Sequence, residues 1–163
     1  MKRTVSVTSK SALYILVLGL IAWISGNPFI FPSLGPTAYI LAFDQKISHS
    51  AKVVIGGHAC GILGGLVSYH LFVAPHNLMM LSEAVSTQGI FLGSGAVFAI
   101  AITTFLMLSF QVSHPPACAT TLIISLGILP RWYDGLVILS AVTIMYITYW
   151  IYQKLTLHQV LTE

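Results

Sequence analysis

The residues best equipped for chemistry stand together in Ser113-His114-Pro115-Pro116-Ala117-Cys118-Ala119-Thr120, between two long apolar runs. Pro115 and Pro116 lack a backbone N–H and hold φ near the helical value, so they suit a first helical turn. Ser113 or His114 is placed to cap that turn. The apolar stretch from Ala117 to Gly127 is too short to cross a bilayer alone. A helix that starts inside a membrane aims a partial positive charge and unpaired N–H groups at whatever lies before it. The chemistry on offer is recognition of a small anion or a neutral hydrogen-bond acceptor. His114, disfavoured as a cation by that dipole and favoured by a bound anion, could take up a proton with the solute or simply stay neutral against a carbonyl.

A second stretch, 80 residues earlier, repeats part of the pattern: Ser33-Leu34-Gly35-Pro36-Thr37-Ala38. It predicts another short helix beginning near Pro36. Together the two stretches define a candidate substrate site near the membrane midplane. Ser33, Gly35, Pro36 and Thr37 come from the first, and Ser113, His114, Pro115, Pro116, Ala117 and Thr120 from the second. Irregular backbone at that depth is tolerated where it is buried in protein or lines a watery cavity. The competing expectation is two kinked helices whose freed groups are satisfied by Ser and Thr.

These elements have to be positioned by a membrane scaffold. Hydrophobic residues make up 56% of the 163 and charged residues 7%, with a mean hydropathy of +0.90. A soluble domain carries roughly 25% charged residues, so this chain could not cover a water-facing surface. It reads as one all-α polytopic domain over residues 1–163. The net charge of +3 reports basic loops at one membrane face and says nothing of nucleic acid.

In order, residues 1–10 form a basic tail and 11–26 a first apolar segment. No small-residue cleavage site follows Trp23, so that segment is expected to be retained. Residues 27–43 are apolar but broken by Pro28, Pro32 and Pro36. Residues 53–74 and 89–110 read as spans, 75–88 as a loop, 111–129 as the Pro-Pro stretch with its short helix, 130–135 as a turn and 136–152 as the last span. Each half, about 11–74 and 89–154, is therefore span, Pro-broken short helix, span. Matching interruptions in two halves are the best sequence pointer to a transporter's binding site.

Charge distribution bears on topology. If the broken segments turn back, giving four crossings, Lys46, Lys52 and Arg131 face away from Lys2, Arg3, Lys10 and Lys154. If they cross, giving six, only Arg131 is opposite all the others, and the positive-inside rule favours this. The two halves are then inverted, with both termini in the cytoplasm.

Gly57, Gly61 and Gly65 recur every four residues, with Gly56, Cys60 and Gly64 beside them. Such small stripes let helix backbones approach closely, against a broken segment of the same chain or in a homo-oligomer. His58 and His70 also fall at or near membrane depth, where ionisable residues are candidates for function. A metal centre is not expected. His114 and Cys118 share a helix face, but His58 and Cys60 lie about 200° apart on theirs. No enzymatic constellation and no cofactor motif are visible: Asp44, Glu83 and Asp134 are assigned to loops. Cys60 and Cys118, both in apolar segments, are not expected to form a disulfide.

Ser113-His114-Pro115-Pro116-Ala117-Cys118-Ala119-Thr120-Thr121-Leu122-Ile123 resembles the signature of the HPP family of integral membrane proteins, named for its His-Pro-Pro motif. Phe31-Pro32-Ser33-Leu34-Gly35-Pro36-Thr37-Ala38 and Ile55-Gly56-Gly57-His58 are similar to its other recurring stretches. Cys118 departs from the Gly or Ala expected there. The family is usually described with four membrane helices, and its plastid and cyanobacterial members are implicated in nitrite transport. The resemblance implies a transporter or channel for a small inorganic anion, nitrite first, in the cell membrane. A non-transporting membrane subunit or assembly scaffold is the alternative class.

Overall fold

The computed structural model describes residues 2–43, 50–76 and 85–161. Regular structure among them is entirely helical. The order is α1 (Lys2–Ser25), α2 (Ile30–Phe43), α3 (Ala51–Ser68), α4 (Thr87–Ser109), α5 (Ala117–Ser125) and α6 (Trp132–Leu161). Four segments are long and apolar enough to cross a membrane: Thr4–Ser25, Ala51–His76, Thr87–Ser109 and Trp132–Leu155. The all-α polytopic architecture is thus the observed one, with α2 and α5 as its two shorter members.

Local chemistry explains where the chain breaks. Gly26 takes φ +69° and Asn27 N–H donates to Ala22 O, closing α1 with a left-handed residue. Gln111 does the same for α4 at φ +55°, its own N–H on Leu108 O and that of Val112 on Met107 O. Gly127, at φ +79°, closes α5 in the same way, Ile128 N–H reaching Ile123 O. At the other ends, Ser50 accepts from Val53 N–H at 3.3 Å and Ser86 from Gly89 N–H at 3.1 Å, capping α3 and α4. Ahead of Pro75 the end of α3 widens into a π turn, Tyr69–Val73, and then tightens into a 3-10 turn, Ala74–His76.

Several boundaries differ from the sequence expectation. The basic tail is part of α1, since nothing between Lys2 and Ser25 breaks a helix. Lys52 lies inside α3 rather than in a loop. Asp134 sits in the first turn of α6, where its carboxylate accepts from Arg131 N–H at 3.2 Å, a favourable place for negative charge. Helix α6 runs on through the expected tail to Leu161. Most importantly, α2 starts at Ile30 and contains Pro36 in its interior. Pro32 falls in the first turn, where a missing N–H costs nothing, and one lost bond at Pro36 does not stop a helix held by its neighbours. The expected polar loops around Lys46 and Glu83 lie outside the described residues.

Contacts fix the directions. Phe31 folds back onto Gly19, so α2 reverses along α1. Gly57 faces His114, Gly61 faces Ala117 and Gly65 faces Ile124, so α5 runs parallel to α3. Gly64 faces Thr103 while Gly95 faces Ser68 and Phe72, so α4 is antiparallel to α3. Ile62 meets Gly135, and Ala51 lies beside Tyr146 and Trp150, so α6 is also antiparallel to α3. Lys10 of α1 stands 5.0 Å over the Tyr152 ring of α6, bringing the two ends of the chain to one side. Direction therefore alternates from each helix to the next, and α4–α6 run opposite to α1–α3.

The main apolar core joins Tyr14, Leu18, Ile30, Leu34, Val54, Ile124, Ile138 and Met145, drawn from α1, α2, α3, α5 and α6. Helix α3 runs through the middle of the packing, and its glycines set how closely α4 and α5 approach. In lipid there is little hydrophobic force between helices, so such contact distance and buried hydroxyl bonds carry the association. Ser68 Oγ on Gly95 O at 2.5 Å and Thr103 Oγ1 to Thr121 Oγ1 at 3.0 Å are two of those bonds.

Candidate functional site

Helix α2 presents Ser33 and Thr37 on one face, four residues apart, to the side of α3 that carries His58. The left-handed closure of α4 at Gln111 returns the chain so that His114 arrives at Gly57, where a Cβ would stand 2.5 Å from that of His114. Glycine at 57 is what permits the two histidines to meet. Their ring centroids are 5.4 Å apart with planes inclined at 60°. Helix α5 then brings Thr120 in from the third side.

The result is a chain of hydrogen-bonded side chains. Ser33 Oγ and Thr120 Oγ1 are 2.8 Å apart, and Thr120 Oγ1 is 2.8 Å from His58 Nδ1. His58 Nε2 is 2.8 Å from Thr37 Oγ1, which is in turn 3.2 Å from His114 Nε2. Ser33, Thr37, His58 and Thr120 are wholly buried and His114 is 3% exposed, so the cluster is closed off on every side in this conformation. No Lys, Arg, Asp or Glu takes part in these bonds. The cluster lies midway along α2 and about 10 Å in from the start of α3.

The structure separates the sequence-selected residues into two groups. Ser33, Thr37, His114 and Thr120 are brought together, and Pro116 and Ala117 are buried behind them. Pro36, Ser113 and Pro115 are exposed, and Gly35 has nothing within 4 Å of a Cβ position. The latter four lie away from the cluster, because a helix that shows residues 33 and 37 on one face turns 35 and 36 elsewhere. The expected open amides are also not there. Ala117, Cys118 and Ala119 N–H donate to His114, Pro115 and Pro116 O at 3.0, 3.0 and 3.1 Å. Ile30, Phe31 and Ser33 N–H are likewise bonded to Asn27, Pro28 and Phe29 O at the start of α2. Pro116 holds the α5 cap position without a side-chain bond, and His114 reaches Thr37 instead of capping. The donors facing the cluster are thus hydroxyls and imidazoles.

His58 is the member that sequence spacing did not join to the others. It reads as a protein-facing residue of the glycine helix, and its one local signal is Gly57 beside it. The stripe Gly57, Gly61, Gly65 is taken up within the chain by α5, and Gly64 by α4. Among the described residues, no three of His, Cys, Asp and Glu gather as metal ligands, and Cys60 and Cys118 are free thiols.

No curated protein and no solved structure matches the chain. A family model described as "HPP, transmembrane region" matches residues 1–160, nearly the whole length, and it is a family of membrane-embedded chains. With four apolar helices of spanning length and the His-Pro-Pro turn delivering His114 to the buried cluster, the chain belongs to the HPP transmembrane family.

Proposed function

We propose that the protein is a membrane transporter or channel for a small inorganic anion, with nitrite the favoured substrate, acting through the Ser33–Thr120–His58–Thr37–His114 cluster. The observation that carries this reading is two imidazoles bridged by one hydroxyl in a buried site among membrane helices. Burying an anion in such surroundings is costly unless it is paired and hydrogen-bonded. Two hydroxyl-bearing helices and two imidazoles supply the bonds, and a proton on either ring supplies the compensating charge. Nitrite, a bent ion with two acceptor oxygens, suits that donor set, and it is the ion the family resemblance suggests. The closed cluster then represents an occluded state, and passage requires α2 to part from α3 and α5. The protein works in the cell membrane with both termini in the cytoplasm. A homo-oligomer would meet on outward residues such as Leu63 and Val67, since the glycines are occupied.

The test is uptake into proteoliposomes under nitrite, nitrate, formate and chloride gradients. Nitrite uptake well above that of empty vesicles, and reduced to their level by His114→Ala or Thr37→Val, is expected. Uptake indifferent to both substitutions overturns the assignment to this cluster. The mutual satisfaction of all five side chains favours a second reading, a non-transporting membrane subunit whose polar core only fixes packing. No uptake of any of the four ions, from a folded protein, selects it.

A further inference from the structure

Where α6 passes the start of α3, the outer surface of the bundle is hollowed. A cavity of about 280 Å³ is lined by Ala51 and Ile55 of α3 and by Thr143, Tyr146, Ile147 and Trp150 of α6. A second, of about 350 Å³, continues from Thr143 along Leu136, Leu139, Ser140 and Ile144. Thr143 belongs to both, so they form one furrow from Leu136 to Trp150, about 20 Å of helix. Its hydroxyls do not make it polar. Ser140 Oγ donates to Leu136 O at 2.8 Å and Thr143 Oγ1 to Leu139 O at 2.7 Å, so each is spent on its own helix. The walls offered to a neighbour are methyl, methylene and ring.

The furrow ends in charge. Lys154 lies one turn beyond Trp150 on α6, and its Nζ stands 4.0 Å from the centre of the Trp150 ring. Lys52 follows Ala51 and lies a turn before Ile55 on α3. Since α3 and α6 are antiparallel, both cations come to the same end of the furrow, and both are exposed. Among the described residues the one carboxylate, Asp134, sits at the opposite end of α6, so no described acid neutralises them.

An apolar slot on the side of a spanning bundle, closing on two cations, is complementary to hydrocarbon beneath an anionic head. Independently of what the protein transports, we infer that the furrow between α3 and α6 binds an anionic phospholipid. One acyl chain lies along Ile55, Thr143 and Ile147, and the phosphate sits between Lys52 and Lys154. Trp150 serves both parts, walling the slot and holding Lys154 at its mouth. The positive-inside rule turns this end toward the cytoplasm, where anionic lipids give the leaflet a negative surface potential. A free phosphate would meet the lysines and leave the slot empty. A second copy of the chain, related by a two-fold axis along the membrane normal, would bring its own Lys52 and Lys154 against this pair.

Trp150 is the probe. With Trp23→Phe and Trp132→Phe it is the last of the three tryptophans, and bromine on an acyl chain quenches indole fluorescence on contact. The protein is reconstituted in phosphatidylcholine bilayers containing a minority of brominated phosphatidylglycerol or of brominated phosphatidylcholine. The anionic lipid should associate more strongly, by roughly 5-fold for each lysine. Lys52→Gln with Lys154→Gln should bring the two lipids level. Lys2→Gln with Arg3→Gln, the same loss of charge from the same end, should leave the preference in place. Thr143→Phe fills the slot, keeps both lysines and should also abolish the preference, with far-UV circular dichroism confirming the fold. Inorganic phosphate should not compete. Equal quenching by the two lipids in the protein with both lysines overturns the site. So does a preference that survives Lys52→Gln with Lys154→Gln, that survives Thr143→Phe, or that inorganic phosphate removes. Weak quenching by both lipids, with Ile147→Cys cross-linking one copy to another, assigns the furrow to a second copy and overturns it as well.

Discussion

At the residue scale, a buried hydroxyl that serves two partners is harder to lose than one at the end of a chain. Thr37→Val keeps the shape and removes the hydroxyl that bonds both His58 Nε2 and His114 Nε2, taking a hydrogen-bond partner from two buried nitrogens. An unsatisfied buried group costs about 1–3 kcal/mol, and Thr120→Val, which strands His58 Nδ1 and Ser33, belongs in the same range. Ser33→Ala removes one bond, and Thr120 retains Ser33 O as an acceptor. Its expected cost is under about 1 kcal/mol. Thermal or denaturant unfolding in a mild detergent ranks the three, and a Ser33→Ala loss equal to that of Thr37→Val contradicts the chain as drawn. Residue types and the Ser-x-x-Pro pattern repeated 80 residues apart singled out Ser33 and Thr37 in the sequence, and the His-Pro-Pro turn singled out His114. His58 was not legible as their partner, because nothing local to α3 says which helix will lie across it. Gly35, Pro36, Ser113 and Pro115 fall outside the cluster because a contiguous motif takes in every side of a turn, whereas a helix presents only one face to it.

At the scale of the element, the glycines of α3 act as spacers with assigned neighbours. A Cβ at Gly57 would stand 2.5 Å from His114 Cβ, at Gly61 2.8 Å from Ala117 O, and at Gly65 2.8 Å from Ile124 Cβ. Two of these are main-chain or Cβ atoms of α5, and the third fixes His114, so none can swing away. Gly57→Ala, Gly61→Ala and Gly65→Ala should each destabilise by about 1–3 kcal/mol, the usual cost of overpacking. Gly57→Ala should in addition separate the two imidazoles. Gly35→Ala and Gly93→Ala meet open space and should be neutral or stabilising by up to about 1 kcal/mol, through helix propensity alone. Melting temperatures of the five variants check the division, and a uniform effect across them would show that α3 has no special contact with α5. The four-residue glycine period announced close packing on α3. It could not name the partner, since the same stripe suits a neighbour in the chain or a second copy. The start of α2 was misplaced for a related reason: proline marks a break only where neighbouring helices do not hold the chain helical through it.

At the scale of the whole molecule, direction reverses at every connection, which bears on how the chain sits in the bilayer. Helix α2 at 14 residues and α5 at 9 cover only about 20 and 14 Å as helix. Each is prolonged by irregular backbone, 26–29 before α2 and 110–116 and 126–131 after and before its neighbours on either side of α5. The alternation leaves the end of α2 and the start of α3 at the end of the bundle that holds the start of α1 and the end of α6, and His76 and the start of α4 at the opposite end. Among the described residues, Lys2, Arg3, Lys10, Lys52 and Lys154 then belong to segments at one end, and Arg131 to the other. Such an imbalance orients a membrane protein with the lysine-rich end in the cytoplasm. Single cysteines at positions 46 and 80, in a background with Cys60 and Cys118 replaced by Ala, should therefore be labelled by a membrane-impermeant maleimide from opposite faces of sealed vesicles. A cysteine at position 155 should share the face of position 46. Labelling of 46 and 80 from one face would mean that α2 and α5 enter and leave on the same side, and the inverted relation of the two halves would not survive it.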